Sequence, residues 1–221
     1  MAQLFSLGCL DIMKILSIVF LFAVGHCCFA QTDTNLIGAG AWSEPVSDSK
    51  EWNAVTIRGR LLLYDDRTRD AGNEARVYLE LQPIRNPANS LNPVEIYYNP
   101  NMGVDNEPPG LLLGLRDAHG QELPDRPNHA FNGSFNRPYW ITLPDDSTVR
   151  IRTDYFAAGY TETNGLNIMG RPRWYTIPHH ATNDYYLHGT FISTNSHPSP
   201  LKYYIWQGTL ELPPVKIPAV K

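Results

Sequence analysis

Two short stretches hold the side chains best suited to chemistry. YDDRTRDAGNEA places Asp65, Asp66, Asp70, Asn73 and Glu74 in one loop, and hard oxygen ligands at that density are what a calcium ion takes. Arg67 and Arg69 stand among them and neutralise the same charge, and the spacing does not place glycine and a final glutamate as an EF-hand loop does. A solvated, internally salt-bridged turn is therefore favoured over a calcium site at Asp65, Asp66, Asp70 and Glu74. His179, His180, Asp184 and His188 fall within ten residues and offer the imidazole and carboxylate that zinc prefers. Adjacent histidines in an extended chain point to opposite faces, so at most one of His179 and His180 joins His188. Surface histidines are the favoured reading, and no cofactor is expected.

Nucleophilic chemistry is weakly served. Ser134 or Ser193 is nominated as a nucleophile with a nearby histidine, but no G-x-S-x-G elbow and no strand-to-helix turn is present to hold one of them. Asp145 and Asp146 resemble paired acids, yet a hairpin turn explains them. An enzyme is thus the less favoured class, with a metal-dependent hydrolase at His179, Asp184 and His188 as its most concrete form.

Aromatic residues form the stronger signal. Tyr155, Tyr160, Trp174, Tyr175, Tyr185 and Tyr186 crowd one region, with Asn164, Asn167 and Asn183 beside them. Exposed rings next to amides suit stacking on sugars or gripping a protein, although core filling is the favoured use in a domain without disulfides. The stretch 156–183 shows no clear strand and is longer than an ordinary connection. Any ligand site is expected there, with Tyr160, Arg173, Trp174, Tyr175 and His179 as contacts. Asn132-Gly133-Ser134 is a glycosylation sequon, relevant only in a eukaryotic host.

These residues need a scaffold, and the N-terminus says where it is used. Met13 and Lys14 precede ILSIVFLFAVGHCCFAQ, which has the positive start, apolar stretch and small residues of a secretory signal peptide cut after Ala30. Asp11 is foreign to such a signal, so translation is expected to start at Met13. The apolar run Ile15–Val24 is too short for the ~20 residues of a membrane span. His26 before Cys27 disfavours lipidation of Cys27 or Cys28. Cys9, Cys27 and Cys28 all precede the cut, leaving a mature chain without disulfides. Residues 1–30 are therefore read as signal peptide, 31–50 as a flexible leader whose Trp42 docks onto the fold, and 51–218 as one domain.

Hydrophobic content of 43% with only 18% charged residues places the chain among globular proteins. A formal charge of -4, with arginines read as scattered singly, makes nucleic acid an unfavoured partner. Eighteen prolines and sixteen glycines predict many turns. ARVYLELQ alternates, setting Val77, Leu79 and Leu81 against Tyr78 and Glu80, and YYLHGTFIS sets Leu187 and Phe191 against His188. LLLGLRDAHGQEL predicts two strands about Asp117–Gly120, and YWITLPDDSTVRIRTDYF two strands about Pro144–Ser147. KYYIWQGTLELPP predicts a last strand that stops at Pro213 and Pro214. No 3.6-residue apolar period persists, so the fold is predicted as an all-β, antiparallel Ig-like β-sandwich of about seven to nine strands with essentially no helix.

The order of ARVYLELQ, NPVEIYYN, LLLGLRDAHGQEL, ITLPDDSTVRIRTDYF, YYLHGTFIS and KYYIWQGTLELPP resembles the uncharacterised exported Ig-like proteins of environmental bacteria. It is also distantly similar to the sandwich of bacterial intracellular proteinase inhibitors. The resemblance spans most of residues 52–215, implies a fold, and carries over no functional residue. The function expected from these observations is that of an exported, periplasmic or extracellular, non-catalytic binding or envelope-associated module. A carbohydrate-binding module is the first alternative, and a metal-dependent hydrolase or a secreted proteinase inhibitor the second.

Overall fold

The computed structural model describes residues 35–47, 55–65, 75–84, 93–100, 110–127, 138–144, 147–161, 165–169, 173–177, 183–194 and 204–217. All lie in the compact unit Asn35–Lys221, and no helix occurs among them. In chain order the strands are β1 (Leu36–Ala39), β2 (Val46–Ser47), β3 (Thr56–Asp65), β4 (Ala75–Ile84), β5 (Val94–Tyr98), β6 (Leu111–Asp117), β7 (Arg126–Pro127), β8 (Tyr139–Leu143), β9 (Val149–Thr161), β10 (Gly165–Met169), β11 (Arg173–Ile177), β12 (Tyr185–Ser193), β13 (Tyr204–Ile205) and β14 (Gly208–Lys216). Ten of them are five residues or longer, more than the seven to nine expected. The architecture is all-β and antiparallel, apart from the short parallel pair β13 and β5.

Period-two alternation builds the long strands as predicted. On β4 the side chains of Val77, Leu79 and Leu81 are buried, and on β12 those of Leu187 and Phe191, because successive side chains of an extended chain leave opposite faces. Each such burial contributes about 1.5–3 kcal/mol relative to exposure. β9 follows the same rule, with Ile151 and Thr153 buried while Arg150 and Arg152 are exposed.

An eight-stranded sheet runs in the order β1-β3-β4-β9-β10-β11-β7, with β2 also paired to β3. Its inner face is covered by two three-stranded sheets, β14-β12-β6 and β13-β5-β8, and all three contribute to one apolar core. The two smaller sheets are joined where Gly110 N–H donates to Asn99 O, Ile192 N–H donates to Gly110 O, and Ser193 Oγ accepts from Tyr97 N–H while donating to Trp206 O. Trp206 fills this junction, stacked at 6.1 Å on Phe191, and its Nε1–H donates to Val46 O on the opposite sheet at 3.1 Å.

Several expectations are corrected. The stretch expected as a flexible leader is paired from Leu36 onward: β1 and β2 both bond β3, and Ser43 exchanges hydrogen bonds with Gly59. The stretch 156–183, expected as one long loop, contains the end of β9, all of β10 and all of β11, paired antiparallel with a register shift between Gly165 and Asn167. β8 and β9 do not form a hairpin; β8 pairs with β5 and β9 with β4, so the connection between them changes sheets. The turn after β6 forms as predicted, with Gly120 at φ 79° and Asp117 Oδ1 accepting from the N–H groups of His119 and Gln121. Its return is only a bridge between Glu122 and Arg116. The last strand breaks at Trp206 and Gln207, and β14 then passes through Pro213 and Pro214 to Lys216. The prolines are tolerated because β14 is an edge of its sheet and its pairing with β12 is irregular beside them, between Leu187 and Gly189.

Candidate functional site

The outer face of the large sheet carries a cluster of cations that chain order conceals. On β3 the inward positions are Ile57, Leu61 and Leu63, so Arg58, Arg60 and Tyr64 project outward. Pairing places Arg58 opposite Gln82, Arg60 opposite Glu80 and Tyr64 opposite Arg76. On the far side of β4, Glu80 faces Arg150 and Tyr78 faces Arg152. Arg58, Arg60, Arg76, Arg150 and Arg152 therefore share one face with Glu80, the one carboxylate among the described side chains of β3, β4 and β9 there.

Glu80 is the centre of this surface. Its side chain is only 2% exposed, and each oxygen meets a different guanidinium: Arg60 Nε lies 2.6 Å from Oε2 and Arg150 Nε lies 2.8 Å from Oε1. A buried carboxylate needs such partners because desolvation costs several kcal/mol per ion. The arginines keep contact with water, at 27% exposure for Arg60 and 43% for Arg150. Arg58 donates from Nε and Nη2 to Gln82 Oε1 at 2.9 and 2.7 Å.

Aromatic rings interleave with the cations. The guanidinium carbons of Arg58 and Arg60 lie 4.7 and 4.5 Å from the centre of the Trp42 ring, and that of Arg150 lies 5.5 Å from the Tyr64 ring. Tyr64 meets Tyr78 edge to face at 5.0 Å. Such cation–π contacts are worth about 0.5–1 kcal/mol each at exposed sites. They hold the long arginine side chains in place, so less rotamer entropy is lost when a ligand binds them.

Replacing Glu80 by glutamine tests this arrangement. The change keeps shape but removes the charge that two arginines bond, at a cost of about 1.5–3 kcal/mol for charged hydrogen bonds. Urea unfolding is expected to show a lower midpoint with unchanged slope, and an unchanged midpoint would show that the triad carries no stability.

Of the ligand contacts expected from sequence, Tyr175 is described: it is 4% exposed, lies in the core, and donates its hydroxyl to Leu113 O at 3.0 Å. The side chains of Tyr160, Arg173 and Trp174, and the whole of His179, lie outside the described residues. So do Asp66, Asp70, Glu74 and the side chain of Asp65, together with Ser134, Asp145, Asp146 and His180. Asp184 accepts from Lys216 Nζ at 2.7 Å; this hydrogen bond, with the nearby negative charge, raises the Lys216 pKa above its ordinary 10.5. His188 Nε2 lies 2.8 Å from Glu122 Oε1, a close approach outside hydrogen-bond geometry, and its ring lies against Gly114, where a Cβ would come within 2.6 Å of it. Among the described residues no group of three or more His, Cys, Asp or Glu side chains could hold a metal ion. Ser193 is buried and spends its hydroxyl on the sheet junction.

The arginine face was missed because its members lie on strands far apart in the chain, at 58 and 60, 76, and 150 and 152. The one local signal is that each occupies a polar position in an alternating strand.

The fold and this face together define a two-layered, all-β sandwich-like protein with a basic and aromatic outer surface. No family model matches the chain, and comparison with curated proteins and with solved structures finds no significant match. No described helix is long and apolar enough to cross a membrane.

Proposed function

We propose that this protein is an exported, non-catalytic binding module of Ig-like sandwich type that holds an anionic ligand on the outer face of β3, β4 and β9. The signal-peptide pattern of residues 13–30 supports export to the periplasm or the extracellular space. The observation that supports the binding reading is the clustering of cations: among the described side chains of β3, β4 and β9, five arginines share a face with one buried carboxylate, in a chain whose formal charge is -4. Cations gathered on one face focus a positive potential there, which attracts an anion. A focused patch of this kind raises local anion concentration even when the whole molecule is acidic.

A cation-exchange resin checks this directly. At pH 7 and low salt the protein is expected to be retained despite its net negative charge, and the double variant R150E/R152E is expected in the flow-through with an unchanged circular dichroism spectrum. Both outer positions are exposed on β9, so the fold should tolerate them. Failure of the native protein to bind, or equal retention of the variant, would overturn the proposal.

A further inference from the structure

We infer that residues 36–47 form an exchangeable edge strap, and that the edge of β3 beneath them is an interaction surface for the same segment of a second copy of this chain. β3 is ten residues long. β4 pairs with one of its edges, and among the described residues the other edge is paired with the strap alone. β1 and β2 take the two ends, and between them Gly40 N–H donates to Leu61 O at 2.9 Å and Ser43 N–H to Gly59 O at 2.8 Å. The strap puts little into the core. No apolar side chain of residues 35–47 is buried: Leu36 and Ile37 are 38% and 39% exposed, and Val46 is only partly covered. β3 itself buries Ile57, Leu61 and Leu63. Segments with few buried apolar contacts open at a lower free energy than the rest of a fold. Opening this one bares a long strand edge whose N–H and C=O groups template a new pairing.

The shape of the slot selects the occupant. A Cβ at Gly40 would come 3.2 Å from Pro213 O and 3.4 Å from Leu61 O, and a Cβ at Gly38 would come 3.2 Å from Val215 Cγ2 and 3.3 Å from Lys216 O. A strand seated between β3 and β14 with larger residues there pushes on backbone carbonyls at both positions. Further along, Ser43 Oγ accepts from Gly59 N–H at 3.0 Å, Val46 O accepts from the Trp206 indole at 3.1 Å, and Ser47 Oγ lies 2.6 Å from Thr56 Oγ1. Trp42 lies over Arg58 and Arg60. A foreign strand can reproduce the backbone pairing without these features, which makes it the less fitting occupant. Residues 36–47 of a second copy meet all of them, so exchange replaces each contact by an identical one between copies, as in a swapped symmetric dimer. The exchange is reciprocal, with Trp42 of each copy over Arg58 and Arg60 of the other.

Refolding the mature chain expected after the cut at Ala30, residues 31–221, from urea at high concentration should give a dimer by size exclusion with light scattering, in a yield that rises with protein concentration. The double variant S47C/T56C reads how the dimer is joined, because these side chains meet across β2 and β3 and residues 31–221 hold no cysteine of their own. After oxidation, the dimer fraction is expected to run as a covalent dimer on a non-reducing denaturing gel and the monomer fraction as a monomer. No dimer at any concentration, or a dimer whose disulfides lie within single chains, would overturn the inference. Hydrogen exchange on the native protein gives a second measurement that needs no variant. The amides of Gly40, Ser43 and Gly59 are expected to exchange together, at least about tenfold faster than those of Leu79 and Leu81 on β4. Exchange of all five at one rate would show that the strap opens only with the whole fold, and would equally overturn it.

Discussion

Replacing Trp206 by alanine is expected to lower the unfolding free energy by about 3–5 kcal/mol, the range for truncating a fully buried large aromatic. The residue is wholly inaccessible, and its ring stacks on Phe191 with planes 10° apart. Phe191 in turn stacks on Tyr98 at 6.4 Å, so one row of rings spans β14's approach, β12 and β5. Three hydrogen bonds also meet at Trp206: its backbone N–H donates to Glu95 O, its carbonyl accepts from Ser193 Oγ, and its indole N–H donates to Val46 O. The alanine variant keeps the first two and loses the third. Trp206→Phe isolates that third bond, leaving the Val46 carbonyl without it at a cost of about 1–3 kcal/mol. Urea denaturation of both variants measures the difference, and a loss below about 1 kcal/mol for alanine would mean that the junction of the two small sheets is not part of the core.

Gly110→Ala is expected to be the most damaging single-methyl change. A Cβ at Gly110 would lie 2.7 Å from Asn99 O and 2.9 Å from Asn99 N, with Tyr98 Cδ2 at 2.8 Å. Two of these are backbone atoms, which cannot rotate away. The Gly110 N–H and carbonyl are themselves committed to Asn99 and Ile192 at 2.8 and 2.9 Å, so relieving the clash separates β5 from the starts of β6 and the end of β12. Overpacking costs typically about 1–3 kcal/mol, and a site with rigid neighbours falls at the upper end. Gly120→Ala makes the comparison: its Cβ meets nothing within 4 Å, but φ of 79° strains an L side chain, at about 1–2 kcal/mol. Thermal melts of the two variants should rank Gly110→Ala below Gly120→Ala, and the reverse order would show that the sheet junction yields easily.

The strands legible in the sequence are those whose buried face is written in alternate residues. Val77, Leu79 and Leu81, or Leu187 and Phe191, announce themselves because extended backbone sends neighbours to opposite sides whatever lies beyond. β5 is less transparent: Val94 through Tyr98 are all buried, on both faces, so no alternation marks which side is the core. Residues 165–177 hid two strands for another reason. Gly165, Asn167, Arg173 and Thr176 interrupt any apolar pattern, and β10 and β11 are held by pairing with β9 and with each other. Pro213 and Pro214 stop a strand in isolation but not at a sheet edge with irregular pairing, where their missing donors cost little.

By itself the sequence determined the all-β class, the inward residues of the long strands, the turn at Asp117–Gly120 and the pattern expected of an exported chain, since each depends on groups within a few residues of one another. Only the tertiary structure decided that β8 and β9 enter different sheets, that residues 36–47 are stitched to β3, and that five arginines converge around Glu80. Those outcomes depend on strand register between segments up to about ninety residues apart, from Arg58 to Arg152. Register is set by the burial of whole faces rather than by any local preference.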